Sequence, residues 1–253
     1  MKRYTMLPIM IQETVTYECQ RCGSIDIVRN GTNKCGNQQY HCKTCGAYRV
    51  LKPQRGYTEK KKQQVLGAYR ERISLRGLER VFKVCRQTIM QWLTRHVAQL
   101  PSLVDTLLPR QPDDVLEVDE AWSFVAKRAN KRWLWTVQCR RTRQIVAFVI
   151  GDHSEYTCRL LWQAMPESYR TCHSYSDFWK TYAKVFPKTT HQSVGKETGE
   201  TAHQERWYCT LRQWLGRYTR DTLSFSKTDF HHELVTRWFI IEHNLRMATS
   251  LTF

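Results

Sequence analysis

Two pairs of cysteines near the amino terminus restrict the fold of this chain more than any other feature. The pairs are Cys19-Gln-Arg-Cys22 and Cys42-Lys-Thr-Cys45, with 19 residues between them. Each C-x2-C pair forms a tight turn that directs two thiolates to one point, and two such turns complete a tetrahedral zinc site. We therefore predict a zinc ribbon over residues 1–57, in which the metal replaces a core too small to fold alone.

The glycines and the other cysteines agree with a metal site and not with a disulfide framework. Gly23 and Gly46 each follow the second cysteine of a pair, where the turn needs a permissive backbone. Cys35 is expected to be a bystander, although it could replace one of the four ligands. Ten cysteines in this arrangement indicate a reducing compartment. Four thiols of the C-terminal half also lack ligand spacing and are expected to be buried: Cys139, Cys158, Cys172 and Cys209.

The chain is strongly basic, which favours a polyanionic partner. Its 253 residues include 40 Lys and Arg against 23 Asp and Glu, a formal net charge of +17, and the excess per residue is highest before residue 110. Nucleic acid is the expected partner, ahead of an anionic membrane surface. No stretch approaches 18 apolar residues, so no membrane-spanning helix is predicted. The first 12 residues lack a cleavage site and are expected to form a strand, not a signal peptide.

Residues 58–109 show three short segments with helical periodicity. Thr58 and Glu59 resemble a helix cap and first turn, and a break at 83–86 separates the second and third segments. This pattern predicts a helix-turn-helix whose last helix, about 86–96, enters the major groove. The alternatives left open are a plain three-helix bundle and, for the zinc ribbon, a bracing role without DNA contact. The outward side chains that could reach phosphates or base edges are Arg86, Gln87, Gln91 and Arg95.

A strand-like run, Val115–Trp122, carries acids into an apolar setting. Glu117, Asp119 and Glu120 lie within it, and a buried carboxylate is costly unless it is paired or holds a metal. The acids therefore predict a functional site. The elements expected over residues 110–253 are strands at 115–125, 132–140, 144–150, 171–176 and 191–194, and helices at 154–165, 178–186, 201–218 and 229–246.

This order of elements is that of a ribonuclease-H-like α/β fold, so the whole chain is expected to be an α+β multidomain protein. In that fold, acids from the first strand, the fourth strand and a late helix meet at one edge, which selects Asp119, Asp177 and Glu205. Such hard oxygen ligands suit two Mg²⁺ or Mn²⁺ ions about 3.5–4 Å apart around a phosphate. Arg212 follows Glu205 by seven residues, on the same helix face, and could bind that phosphate.

Each acid also has a simpler interpretation. Glu117 and Glu120 are alternatives to Asp119, Asp177 could be an ordinary helix N-cap, and two nearby acids, Glu197 and Glu200, are alternatives to the third. His203 is expected to be a surface or supporting residue rather than a ligand. Most of the tryptophans are expected in the core, but one of the two near Arg212, Trp207 or Trp214, could stack on an unpaired base.

Four segments resemble the insertion-sequence-one family of bacterial transposases. They are V-D-E-A-W, Y-S-D-F-W, the run K-E-T-G-E-T-A-H-Q-E-R-W-Y-C-T-L-R-Q-W, and L-S-F-S-K. Members carry a zinc-ribbon-like segment and a helix-turn-helix ahead of a DDE catalytic domain, so the resemblance covers nearly the whole chain. It implies that Asp119, Asp177 and Glu205 hold the three DDE positions and Arg212 the basic position. Ala202 and Trp207–Cys209 depart from the asparagines that relatives often have there.

The resemblance also implies an activity. A member of this family would bind double-stranded DNA at the terminal inverted repeats of its element, cleave it with Mg²⁺ or Mn²⁺, and join the ends to target DNA. We expect a homo-oligomer in the active complex and a cytoplasmic, nucleoid-associated bacterial protein. Two other functions stay open: a non-catalytic DNA-binding regulator, and a metal-dependent nuclease that cuts without joining.

Overall fold

The computed structural model describes residues 16–33, 37–51, 56–219 and 221–251. Cys35 and the strand expected over the first 12 residues lie outside these ranges. The chain forms two compact units that divide between Lys61 and Lys62. Within the described residues it combines eight strands with seven α-helices, which confirms the predicted α+β class.

The first unit contains a small antiparallel sheet next to the paired cysteines. Its strands are β1 (Ile27–Thr32), β2 (Gln38–Cys42) and β3 (Tyr48–Arg49), with β2 in the centre. Gly23 and Gly46 both have φ near 70°, a left-handed conformation that side chains disfavour. Their backbone N–H groups donate to the carbonyls of the first cysteine of each pair, closing the two predicted turns.

Three helices follow, close to the bounds that the sequence predicts: α1 (Glu59–Arg70), α2 (Leu75–Phe82) and α3 (Arg86–Ala98). Ser74 begins α2, because its hydroxyl accepts from the backbone N–H of Gly77 at 3.1 Å. The turn before α3 has no glycine, and Lys83 takes the left-handed conformation there, with φ of 56°.

The second unit is built around a five-stranded mixed sheet. In spatial order β6-β5-β4-β7-β8, the first three strands are antiparallel, and β7 and β8 run parallel to β4. Two-residue alternation along β4 directs successive side chains to opposite faces. The strands are β4 (Val115–Phe124), β5 (Lys131–Cys139), β6 (Ile145–Gly151), β7 (His173–Ser176) and β8 (His191–Ser193).

Four helices accompany this sheet: α4 (Glu155–Ala164), α5 (Tyr182–Val185), α6 (Ala202–Trp214) and α7 (Asp229–Leu251). The helix predicted over 178–186 is shorter than expected, because Asp177 accepts from the backbone N–H of Trp179 at 2.9 Å and forms a turn there. The helix predicted over 201–218 ends at residue 214, and a short 3-10 turn follows at Gly216–Tyr218.

The helices cover both faces of the sheet. On one face Leu116, Val118 and Trp135 pack with side chains of α4 and α5. On the other face Ala121 and Leu134 pack with α6 and α7. Burying each large apolar side chain stabilises the fold by about 1.5–3 kcal/mol before entropy is counted. On β4, Glu117 and Asp119 therefore point towards the α6 layer, and Glu120 points towards α4 and α5.

Trp238 of α7 joins this sheet domain to the three helices. It is buried in their core, and its ring lies 6.2 Å from that of Tyr69 on α1, nearly parallel. Arg70 of α1 also pairs with Glu242 of α7 at 2.8 Å. Across the described ranges, the structure contains no helix that is both long and apolar enough to cross a membrane.

Candidate active site

The four paired cysteines form a compact group of thiols. All four Sγ atoms lie within 4.8 Å of one another. Those of Cys19 and Cys45 are 3.7 Å apart, and those of Cys22 and Cys42 are 3.6 Å apart. A tetrahedral zinc site with Zn–S bonds of about 2.3 Å has sulfur–sulfur edges of roughly 3.8 Å. The thiols therefore stand where one zinc ion could be held.

Backbone donors in the two turns favour the thiolate form. The N–H of Arg21 lowers the pKa of Cys19 to about 6, and the N–H of Cys45 lowers the pKa of Cys42. At Cys22 the N–H of Ser24 acts in the same direction, but the neighbouring thiols outweigh it and raise the pKa to about 12. The thiolate is the form that binds metal. The local backbone thus assists ligation.

A separate cavity lies in the second unit, at one edge of the sheet domain. Its volume is about 430 Å³, and the three predicted acids and the predicted arginine all line it. It also contains Glu120 and a cation that sequence reasoning did not select, Lys196. The complete lining is Asp119, Glu120, Asp177, Val194, Lys196, Thr201, Glu205, Tyr208, Cys209 and Arg212.

The pairing of β4 and β7 brings the first two acids together. The parallel register sets Glu117 opposite Tyr175. Asp119 lies two residues after Glu117 on β4. Asp177 lies two residues after Tyr175, just past the end of β7. The two carboxylates therefore come from adjacent strands at the point where one of them stops.

Helix α6 supplies the third acid and the arginine. Its buried face is Gln204, Trp207, Tyr208 and Leu211, so Glu205 and Arg212 occupy the other side, two turns apart. The Tyr208 hydroxyl donates to the Asp119 carbonyl at 2.8 Å and is 2.6 Å from the Thr136 hydroxyl. This contact fixes the helix against the strand beside the acids.

The electrostatics of the cavity favour a bound cation. Burial, together with the negative charges of Glu120, Asp177 and Glu205, raises the pKa of Asp119 to about 7. Gathered carboxylates without a counter-ion disfavour their own ionisation. Oxygen donors in this number suit Mg²⁺ or Mn²⁺.

The carboxylates surround this cavity rather than converge on one point. Among all groups of three or more His, Cys, Asp or Glu side chains in the described residues, only the four cysteines have ligand atoms that all lie within 4.8 Å of one another. A cavity of about 430 Å³ leaves room for metal, water and a phosphate together. The carboxylate oxygens are therefore donors of the type that Mg²⁺ and Mn²⁺ prefer, but they do not gather at one position.

The competing acids have other partners. Glu117 is buried and bonds to the first turn of α6 and to Arg140. Glu200 pairs with the same Arg140 at 2.7 Å. Glu120 lines the cavity, but its carboxylate bonds to His153 at 3.0 Å and accepts from the Tyr182 hydroxyl.

Two expectations about side-chain exposure were wrong. Trp207 is 3 % exposed and packs with Phe239 and Tyr208, so no DNA base can stack on it. Cys209 is exposed and lines the cavity, because it lies one turn after Glu205 on the same side of α6. Cys139, Cys158 and Cys172 are buried, as predicted.

The candidate DNA-contacting side chains of α3 lie on one exposed face. Arg86, Gln87, Gln91 and Arg95 are all exposed, while Ile89 and Leu93 point into the three-helix core. Arg86 pairs with Glu79 of α2 at 3.0 Å, which holds its guanidinium near the start of α3. The structure leaves the other three available to a partner.

Comparison with known proteins agrees with the resemblance seen in the sequence. A model of the IS1 transposase family matches residues 115–246, which contain all the cavity residues. The insertion element iso-IS1n protein InsB of Shigella dysenteriae is 34 % identical over 131 residues, covering 51 % of this chain and 95 % of that protein. The IS1 protein InsB of Shigella flexneri is 29 % identical over 128 residues, covering 50 % and 95 %.

The solved structure of a simian T-cell lymphotropic virus intasome in complex with the PP2A regulatory subunit B56 gamma aligns at 11 % identity. It covers 71 % of this chain and 67 % of its own, with a TM-score of 0.37. A likeness this low supports no conclusion about fold. The family match spans half of the chain and all of its cavity, and the chain belongs to the IS1 transposase family.

Proposed function

We propose that this chain is a DDE transposase that binds the terminal inverted repeats of its insertion sequence, cleaves there with Mg²⁺ or Mn²⁺, and transfers the freed strand to target DNA. One observation carries the proposal: Asp119, Asp177 and Glu205, from two strands and a helix, line one cavity with Arg212. The sheet order with helices on both faces supports a ribonuclease-H-like domain around them.

The proposed reaction is two phosphoryl transfers in one site. First, a water oxygen loses a proton to solvent and bonds to phosphorus at the element end, while the bond from phosphorus to the 3′ oxygen breaks and that oxygen takes up a proton from solvent. Next, the freed 3′ hydroxyl loses its proton to solvent and its oxygen bonds to a target phosphorus, while the bond to the target 3′ oxygen breaks and that oxygen takes up a proton. Neither step requires a redox partner.

The acidic and basic residues of the cavity are proposed to have different roles in this reaction. Asp119, Asp177 and Glu205 would hold the divalent ions, which polarise the phosphate and acidify the attacking hydroxyl when bound. Arg212 would donate to the non-bridging phosphate oxygens, since a guanidinium suits their geometry. Lys196 adds a second positive charge that offsets the four carboxylates as DNA approaches.

Recognition of the element ends is proposed to lie ahead of the sheet domain. Helices α2 and α3 would act as a helix-turn-helix, with the exposed face of α3 in the major groove. The cysteine group would bind zinc and stabilise the small sheet of the first unit. Because transposition joins two ends, we expect a homo-oligomer in the complex with DNA.

Cleavage and joining of a labelled element-end duplex test this proposal. We expect Mg²⁺-dependent nicking and strand-transfer products from the chain, and loss of at least 100-fold in Asp119→Asn and Glu205→Gln with DNA binding retained. Glu197→Gln is the matched control, because Glu197 is exposed and lies outside the cavity. Binding without variant-sensitive cleavage would favour a regulator, and cleavage without joining would favour a nuclease.

A further inference from the structure

Glu117 makes an unusual set of contacts for a carboxylate on a central strand. Its side chain is fully buried. One oxygen accepts from the backbone N–H groups of His203 and Gln204, both at 3.0 Å. The other accepts from Arg140 Nε at 2.9 Å and is 2.6 Å from His203 Nδ1.

These contacts replace the missing cap of helix α6. The first N–H groups of a helix have no partner within it, and Thr201 at the N-cap position makes no side-chain capping bond. A negative charge at this end is also favoured by the helix dipole. The carboxylate of Glu117, from a strand 86 residues earlier in the chain, supplies both the acceptor and the charge.

The residues joined by this cap lie next to proposed metal ligands, on strand β4 and on helix α6 alike. Glu117 is two residues before Asp119 on β4, with its side chain on the same face of the sheet. Gln204, whose N–H it binds, directly precedes Glu205. One turn later the Tyr208 hydroxyl bonds the Asp119 carbonyl at 2.8 Å. Asp119 and Glu205 therefore lie between two hydrogen-bonded contacts that join β4 to α6: the Glu117 cap and the Tyr208 hydroxyl.

Arg140 extends the same network to the segment before the helix. Besides Glu117, it donates to the carbonyl and the carboxylate of Glu200, both at 2.7 Å. The segment that leads into α6 is therefore tied to the strand as well. Loss of the Glu117 carboxylate would remove the acceptor of the partly exposed Arg140 Nε and leave the buried N–H of Gln204 unpaired.

We propose that Glu117 is a positioning residue: by capping α6 from β4 it holds Glu205 opposite Asp119 at the spacing that divalent ions require, without itself being a ligand. This inference rests on the proposed metal-dependent function. Partners that orient ligands typically change metal affinity or activity by about 10–100-fold when they are removed.

The chain offers a matched control directly before strand β4. Asp114 is also a fully buried carboxylate paired with an arginine, Arg141, at 2.6 Å. It accepts from the backbone N–H of Gln111 at 2.8 Å, and within the described ranges its carboxylate makes no hydrogen bond to α6. Asp114→Ala therefore removes a buried ion pair of the same kind without removing the helix cap.

The test measures Mn²⁺ binding to the full chain by electron paramagnetic resonance, with thermal unfolding and hydrogen exchange of residues 201–206 on the same samples. We expect Glu117→Ala to weaken Mn²⁺ binding at least tenfold and to speed exchange in the first turn of α6. Asp114→Ala should stay within about twofold of the unchanged protein in Mn²⁺ affinity and in the exchange rate of the first turn of α6, even if its melting temperature falls. If Glu117→Ala does not fold, Glu117→Gln is judged by the same criterion.

Glu205→Gln separates failure of the inference from failure of the function. If it weakens Mn²⁺ binding while the Glu117 variant binds like Asp114→Ala, the positioning role is excluded and the metal site stands. If Glu205→Gln binds Mn²⁺ like the unchanged protein, the proposed function fails, and the positioning role fails with it.

Discussion

Asp119 and Asp177 each lie two residues beyond Glu117 and Tyr175, the last residue pair of the parallel ladder between β4 and β7. The pairing, which sets Glu117 opposite Tyr175, thereby brings together two acids 58 positions apart in the chain. Burial and the neighbouring negative charges, that of Asp177 among them, raise the pKa of Asp119 to about 7. A site that disfavours its own ionisation in this way gains most from a bound cation, which links the strand register to the proposed chemistry.

The four-thiol group predicts one tightly bound zinc ion per chain. Cys19→Ser or Cys45→Ser should lower the zinc content to near zero and expose the small sheet to proteolysis, because the metal stands in for a core. Metal analysis by mass spectrometry and limited trypsin digestion measure both effects.

Cys85→Ser is the control for the zinc prediction. Cys85 is exposed, starts α3 and bonds to Thr88 at 3.1 Å, a role that a serine hydroxyl can fill. The Cys85→Ser variant should retain the full zinc content. Zinc retained at one per chain in the Cys19 and Cys45 variants would rule out the site.

The buried His232 predicts a loss of stability in mild acid. Its two ring nitrogens each lie 3.0 Å from a hydroxyl, of Ser123 and of Ser226, and burial lowers its pKa to about 4. Because the folded state prefers the neutral ring, the stabilisation is complete above pH 6.5 and is lost as the pH falls towards 4. The free energy of unfolding is expected to decrease by about 2–3 kcal/mol through this group.

Urea unfolding between pH 7.5 and pH 4 measures this effect. His232→Asn should be less stable at pH 7.5 and should show a shallower fall. The residual slope comes from other groups with shifted pKa values: burial lowers the pKa of His191 to about 4 and that of His243, while the raised pKa of Asp119 acts in the opposite direction. Equal slopes in the two proteins would show that His232 does not titrate in this way.

The exposed face of α3 predicts salt-dependent DNA binding. Arg95→Ala should weaken binding to an element-end duplex and, if the guanidinium contacts a phosphate, should lower the salt slope by about one. Fluorescence anisotropy across a series of KCl concentrations measures both quantities. Arg159→Ala on α4, which removes an exposed arginine paired with Glu155 at 2.7 Å, should change neither.

The position of Cys209 predicts that a thiol reagent blocks the cavity. Alkylation of the zinc-loaded protein with N-ethylmaleimide should abolish cleavage, because the adduct lies one turn from Glu205 and within the same cavity. Cys209→Ser should keep its activity and resist the reagent. Equal inhibition of both proteins would assign the effect to another exposed thiol, such as Cys85.

The parts of the fold that local sequence signals determine could be predicted. The cysteine spacing predicted the thiol group, and Ser74 and Ser154 each begin a helix by accepting a capping bond from the backbone N–H three residues later. The helical spacing of Glu205 and Arg212 likewise predicted that both would face one site. These signals act over a few residues, so composition and periodicity are enough to detect them.

The remaining features depend on packing between distant segments. Glu117 was one of three acids on one strand, and only the arrival of α6 gives it a role different from that of Asp119. The same packing buries Trp207 and leaves Cys209 exposed, although both lie on one amphipathic helix. Which side of that helix meets the sheet is decided by tertiary contacts, and periodicity alone could not assign it.

The measurement that tests the central claim most directly is strand transfer of a labelled element end into plasmid DNA with Mg²⁺. It compares the chain with Asp119→Asn, Asp177→Asn, Glu205→Gln and the control Glu197→Gln. We predict that the chain and the control form joined product and that each of the other three loses it at least 100-fold while still binding the duplex. Joined product from any of those three at the level of the control would contradict the assignment of the cavity as a DDE site.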